Sequence, residues 1–416
     1  MLKPIRALIG TAVAMAFTLA SAAAMGQVAS FDEIARQALA THPAILARLS
    51  SAAAARAERE GAEWQRYPTP SVEVNNDNHG VRTSLLRVQQ PLWASGRIDA
   101  TIDAAHSRHQ AAASAIQEAK QDLVFRVIAA YVEALRQQAR QETLAEGVRQ
   151  HERLLGLIAR RVEHDASPRV DQELAQSRLY QANNDLSTVK QALANALTQL
   201  SQLAGMPVRT VGALEVDRLP EEQGKESLAD QAIARSPTLR RLSYEEDAAQ
   251  AEVELKRASY KPQISLRFEN SHASAPLNGS PAYNTNRLMV VVEAQTGAGL
   301  SALTGVEAAL GRQDAARQQR DAALRDLRER LAMDWDEFVA ARMRLDYATR
   351  ARDGAKQVFE SYTRQYTAGR KTWLDVLNTV RESTQAEVAA TDANAQALGA
   401  SLRLKLLSGN LKGISE

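Results

Sequence analysis

The chain has 416 residues, room for two or three ordinary domains, and its 51 lysines and arginines nearly cancel its 49 aspartates and glutamates. That balance gives no support for a nucleic-acid partner, which would need a concentrated basic face, and the lack of cysteine excludes disulfides, thiolate metal sites and a lipidated N-terminal cysteine. Aromatic content of only 5%, with abundant alanine, glutamine, leucine and arginine, favours long helices packed closely through small side chains.

The first segment reads as a secretory signal peptide over residues 1–24. Lys3 and Arg6 supply a positive start, Ala7 to Leu19 form a short apolar run, and Ala22 and Ala24 offer a cleavage site after Ala24. A second possible cut follows Gly26. A retained anchor is the alternative, but the run is shorter than the roughly 20 residues a spanning helix needs. No later stretch is apolar enough for a transmembrane helix, so any crossing must be made by strands.

Past this segment the chain reads as one unit written twice, in residues 25–204 and 227–407. Ile34-Ala35-x-Gln37-Ala38-Leu39-Ala40-x-His42-Pro43 matches Leu228-Ala229-x-Gln231-Ala232-Ile233-Ala234-x-Ser236-Pro237 at a displacement of 194. Beyond a longer loop near Ala273 to Asn284 the displacement becomes 204, which pairs Tyr131 with Trp335 and Asp171 with Asp375. Proline, glycine and charge in residues 205–226 mark a linker, and residues 408–416 a C-terminal tail.

Each unit is expected to run helix, strand, strand, long helix, helix. The opening helix spans about Phe31 to Gln65, and its copy Ser227 to Tyr260, each stopping at a proline. Val72 and Val74 alternate with Glu73 and Asn75, and a turn at Asn78-His79-Gly80 returns the chain through Ser84, Leu86 and Val88. In the second unit Ile264, Leu266 and Phe268 alternate with Ser265, Arg267 and Glu269, and a return strand covers Leu288 to Ala294. Such alternation makes one face apolar and the other wet. Four strands are too few to close a barrel, and lipid forbids open edges. If these hairpins enter a membrane, several copies must pool them.

The longest helices follow each hairpin. Arg97 to His164 contains no proline and would reach about 100 Å at the helical rise. Leu144, Val148, His151, Leu155, Ile158 and Val162 keep a seven-residue beat, as do Leu179, Leu186, Leu193 and Leu200, and then Leu324, Leu331, Phe338 and Leu345. This 4-3 spacing indicates helices wound around one another. An isolated bundle or a dimeric coiled coil explains that spacing equally well, but not the hairpins. Little else carries chemistry. His106 and His109 lie three apart on one helix without a third ligand, and Gly297-Ala298-Gly299-Leu300-Ser301 lacks the lysine of a phosphate loop. No catalytic residue, cofactor site or metal site is expected.

Two motifs carry a resemblance. Gln90-Pro91-Leu92-Trp93-Ala94-Ser95-Gly96-Arg97 resembles the strand-to-helix turn of the TolC-like outer-membrane factor (outer membrane efflux protein) family. Tyr366-Thr367-Ala368-Gly369-Arg370-Lys371-Thr372-Trp373-Leu374-Asp375-Val376-Leu377 resembles that family's periplasmic helix turn, with Arg161 to Asp171 as its counterpart in the first unit. The resemblance implies a mainly α fold of duplicated long-helix coiled-coil hairpins with a small β part. As a homotrimer it would form a 12-stranded outer-membrane β-barrel and a periplasmic α-helical tunnel, with the 205–226 linker at the equator.

It also implies a periplasmic gate. Asp375 falls on the first carboxylate position of the family's closed tip, and Asn378 occupies the second, where an acid is usual. Asp171, Tyr366 and Lys371 match positions that lock the tip by polar contacts, while Val170 replaces a hydroxyl residue. Read from the residues alone, Asp375 serves equally well as a carboxylate at the positive end of a helix.

The implied function is a non-enzymatic duct in outer-membrane lipid. It would be served by a periplasmic adaptor (membrane fusion) protein and an inner-membrane transporter of ABC type. The combination of Gly369 to Asn378 with Gly297 to Ser301 resembles members serving type I protein secretion, with drug or small-molecule efflux as the alternative. A periplasmic adaptor or coiled-coil scaffold is the reading from another class, although the glycine-rich lipoyl-like segments of an adaptor are missing.

Overall fold

A computed structural model describes residues 29–76, 82–214, 224–273, 283–294, 297–298 and 301–409. The signal segment 1–24 with its Ala24 and Gly26 cleavage sites and the 78–80 turn lie outside the described residues. So do much of the 205–226 linker and the 273–284 loop, residues 299–300, and nearly all of the 408–416 tail.

The described elements run α1 (Phe31–Thr41), α2 (Pro43–Glu63), a short 3-10 turn (Trp64–Arg66), β1 (Thr69–Asn76), β2 (Arg82–Trp93), α3 (Arg97–Glu163) and α4 (Arg169–Ala204). The order then repeats as α5 (Lys225–Arg235), α6 (Pro237–Ser259), β3 (Gln263–Ala273), β4 (Tyr283–Glu293), α7 (Ser301–Thr367) and α8 (Trp373–Leu407).

The two opening helices are not continuous, as the sequence reading had them. Each breaks in two at the same place, before Pro43 and before Pro237. His42 takes an extended conformation (φ −67°, ψ 127°), and Ser236 sits at φ −58°, ψ 115°. A proline clashes with helical geometry in the preceding residue yet suits the first turn of the next helix. Ser236 then caps α6 by accepting a hydrogen bond from the Leu239 amide at 3.3 Å. A second correction concerns Gln90-Pro91-Leu92-Trp93, which was expected in the turn and instead continues β2. Its register shifts between Pro91 and Trp93, a bulge that tolerates the missing amide. The turn itself is Ala94–Gly96, where Ser95 and Gly96 both take positive φ (50° and 86°). Strand β4 also begins earlier than expected, at Tyr283 rather than Leu288.

The chain forms two compact units, each drawing on both sequence halves. One comprises residues up to His42, Leu123–Leu228 and Ala332–Glu416. In it the heptad positions Leu186, Val189, Ala196, Leu200 and Leu203 of α4 are buried. Tyr131 is fully buried against Phe31 (ring centroids 5.5 Å, edge-on), and its hydroxyl donates to the Gly212 carbonyl at 2.9 Å. Val211 pairs in parallel with Ala29, and Gln138 brackets it from α3. Burial pushes the Tyr131 phenol up to about 12.

The other unit comprises Pro43–Asp122 and Ala229–Leu331. Its helices are tied by ion pairs, chiefly the fork of Arg241 on Glu118 and the Arg320–Glu246 pair. Its four strands form one antiparallel sheet in the order β1-β2-β3-β4, with β2 and β3 joining the two sequence halves. Among the described residues, β1 and β4 each pair on one side only.

Candidate functional site

Two places on the molecule bear on function, the sheet faces and the turns that end α3 and α7. The register assigns every strand residue to a face. Pro70, Val88, Phe268 and Leu288 lie in one row across the sheet, with Val72–Leu86 on one side of it and Leu266–Val290 on the other. This face is mainly apolar over these rows, with Asn270 and Asn286 completing the Val72–Leu86 row and Gln90 beside Leu266, and it is uncovered: Val72 is 71% exposed and Leu288 69%. Such a patch is unusual on a soluble monomer. The opposite face carries Ser71, Arg87, Glu269 and Arg287 in one row, and Gln89 beside Arg267 in the next. Exposed Trp64, Tyr67 and Trp93 cluster in sequence around the helix-joined ends of β1 and β2, where amphipathic rings suit a lipid–water boundary. Among the described residues, no helix is long and apolar enough to cross a membrane.

The turns ending α3 and α7 are built alike. Each helix stops in a pair of bonds that reach back over its last turn. Asp165 and Ala166 amides donate to Val162 and Arg161 carbonyls (3.1 and 2.7 Å); Gly369 and Arg370 amides donate to Tyr366 and Gln365 (3.0 and 2.9 Å). The pivotal residue is left-handed in both, Asp165 at φ 54° and Gly369 at φ 73°. The next helices start differently. Pro168 flanks α4 with no side-chain cap, whereas Thr372 and Asp375 close a reciprocal capping box on α8.

Of the residues singled out by sequence, Asp375 makes that box, its carboxylate accepting from the Thr372 amide at 3.1 Å. The Thr372 hydroxyl and amide, with the Lys371 ammonium nearby, hold the Asp375 carboxyl below the ordinary aspartate range. Asn378 lies one turn on, half-buried. Lys371 sits over the Tyr362 ring, 4.2 Å from its centroid. Tyr366 is buried, stacked obliquely on Trp373 at 5.3 Å, with the Arg161 guanidinium 5.1 Å from its ring centre. Asp171 joins the same cluster through its backbone. Its carbonyl accepts from the Trp373 indole at 3.1 Å, across 202 residues of sequence.

Sequence reasoning missed that bond. An indole N–H buried beside a helix start needs an acceptor, and that need was the available signal. Beneath it Leu154, Ile158, Ala175, Val376, Leu377 and Val380 form a shared core joining α3, α4 and α8. Further along, His151 is buried, and burial followed by the Arg178 guanidinium lowers its pKa, so it fills its heptad position uncharged. His109 is likewise lowered, by burial and then by Arg59. Among the described residues, no group of three or more histidines and acids is placed to hold a metal ion.

An open sheet, apolar on one side and polar on the other, beside long coiled helices defines a β-barrel wall that is complete only in company. The outer membrane efflux protein family model matches residues 20–206 and 228–410, and the chain belongs to that family. Proteins of this family are trimeric, span the outer membrane into the periplasm, work with adaptors and inner-membrane transporters, and are ducts rather than enzymes. Solved structures share the fold. CusC, described in terms of folding and transmembrane channel formation, is 17% identical with a TM-score of 0.79, covering 92% of this chain and 95% of its own. The outer membrane protein VceC from Vibrio cholerae matches at 17% and 0.79, covering 91% and 96%. The open-state MtrE channel of Neisseria gonorrhoeae matches at 17% and 0.77, covering 93% and 90%. No curated protein matches.

Proposed function

We propose that three copies of this chain pool their hairpins into one 12-stranded barrel in outer-membrane lipid and form a passive exit duct. The carrying observation is the sheet itself, with its uncovered apolar face and two edges unpaired among the described residues. Unpaired backbone in hydrocarbon costs several kcal/mol per group, so the edges must meet neighbours. A second observation supports self-association. Met333, Met343, Tyr347 and Val358 stand exposed along α7, an apolar seam awaiting a partner. Residues 25–204 and 227–407 act as the two structural repeats of each copy.

The turns ending α3 and α7 serve as the gate. Asp375 and Asn378 line it, while Asp171 and Tyr366 hold it shut by way of Trp373, and Lys371 by its contact with the Tyr362 ring. An inner-membrane transporter of ABC type, joined by an adaptor, supplies the energy. The motif at Gly369 to Asn378 favours protein cargo in type I secretion; the family description favours small-molecule efflux as the second reading. Deleting the gene distinguishes them. Loss of specific polypeptides from the culture medium supports the first, and heightened sensitivity to toxic small molecules with unchanged secretion supports the second. Purified protein that forms no conducting pores in planar bilayers refutes the duct.

A further inference from the structure

We propose that the bore of the barrel carries a basic belt that favours anionic passengers, ions and solutes bearing carboxylate, sulfonate or phosphate groups. This inference rests on the trimeric duct proposed above. The apolar sheet face must meet lipid, so the opposite face lines the water-filled bore. On it two adjacent rows carry nearly all the charge at mid-height: Ser71–Arg87–Glu269–Arg287 and Thr69–Gln89–Arg267–Met289. Three arginines against one glutamate leave each chain a net charge of +2 across these rows.

The single carboxylate is already engaged, for Arg87 Nε donates to Glu269 at 2.9 Å. Arg267 donates to the neutral Gln89 side chain at 3.1 Å, so its charge is not cancelled, and its Nε has no hydrogen-bond partner among the described residues. Arg287 is exposed and forms no ion pair among the described residues. On one side the next row holds Glu73 beside Leu85; on the other an uncharged row, Pro91–Ser265–Val291, is followed by Glu293 beside Gln263. The profile along the bore is therefore negative, positive, negative. Three copies set six net positive charges in a belt about two residues high, roughly 7 Å along each strand. That height is less than one Debye length, so the charges act together on a passing ion.

The test is the reversal potential of the trimer in planar bilayers under a potassium chloride gradient. It is measured in an Asp375→Asn background, so that the carboxylates at the gate do not set the sign. The double variant Arg267→Gln with Arg287→Gln should lower the chloride-to-potassium permeability ratio by at least about threefold. Glu269→Gln, which removes the opposing charge, should raise it. Opposite shifts in the two variants support the belt. Ratios within twofold of the parent in both overturn it while leaving the duct intact, whereas a parent that never conducts overturns the duct and the belt together.

Discussion

Replacing Trp373 with phenylalanine isolates the bond that joins the two helix turns. The change keeps an aromatic ring against Tyr366 and removes only the indole donor to the Asp171 carbonyl. A neutral hydrogen bond in a part-buried setting is worth about 1 kcal/mol net. If opening separates α8 from α4, that loss shifts each copy about fivefold toward the open state, and three copies moving together shift it by about 3 kcal/mol, near 150-fold. Single-channel recording should then show a large rise in open probability, with the trimer still assembled. Trp373→Ala also removes packing worth about 3–5 kcal/mol in a site 5% exposed, and should lower the melting temperature as well. A Trp373→Phe channel that conducts like its parent refutes the link as part of the gate.

Four further outcomes follow from the same geometry. Asp165 holds a left-handed conformation that glycine holds in the matching turn, so Asp165→Gly should stabilise the protein by about 1 kcal/mol, read as a rise in melting temperature. Asp375→Ala should raise closed-state conductance; the carboxyl is held low when folded, so its contribution is present above the ordinary aspartate range and is lost only as pH falls through its depressed value. Conductance traced from pH 8 downward should therefore stay flat until strongly acid conditions. Tyr131→Phe removes the bond to Gly212 and should cost about 1 kcal/mol, with faster proteolysis of residues 205–214. Because the phenol is raised to about 12 when folded, its contribution holds below the ordinary tyrosine value and is lost as pH climbs from there toward 12. Arg241→Ala leaves the half-buried Glu118 without its fork and should cost about 1–2 kcal/mol by thermal melt, with the Arg241→Ala, Glu118→Gln double variant less affected.

Much of this architecture was legible in residue order because its signals are periodic. Period-two alternation marked β1, β2 and β3, β4 stood out as a run apolar on both faces apart from Glu293, and the heptads of α3, α4 and α7 marked the coiled helices, whose beat positions Ile158, Leu200 and Leu331 are buried. Prolines were legible as punctuation but misweighted. Pro68 and Pro262 were read as helix ends, while Pro43 and Pro237, which break the helices, were passed over because the apolar pattern runs on across them. Pro91 was placed in a turn because a bulge leaves no trace in composition. The turn cluster was half visible. Its residues stood out, but the partner of Trp373 lies 202 positions away, and a backbone carbonyl has no sequence signature. The arginines of the polar face were each visible at alternate positions, yet only the register of β2, β3 and β4 brings Arg87, Arg267 and Arg287 into adjacent rows.

Native mass spectrometry of protein extracted in mild detergent from outer membranes tests the pooled barrel most directly. The expected result is a trimer that survives extraction and separates only on heating. A water-soluble monomer whose strands at residues 69–93 and 263–293 are shielded by its own helices would contradict it.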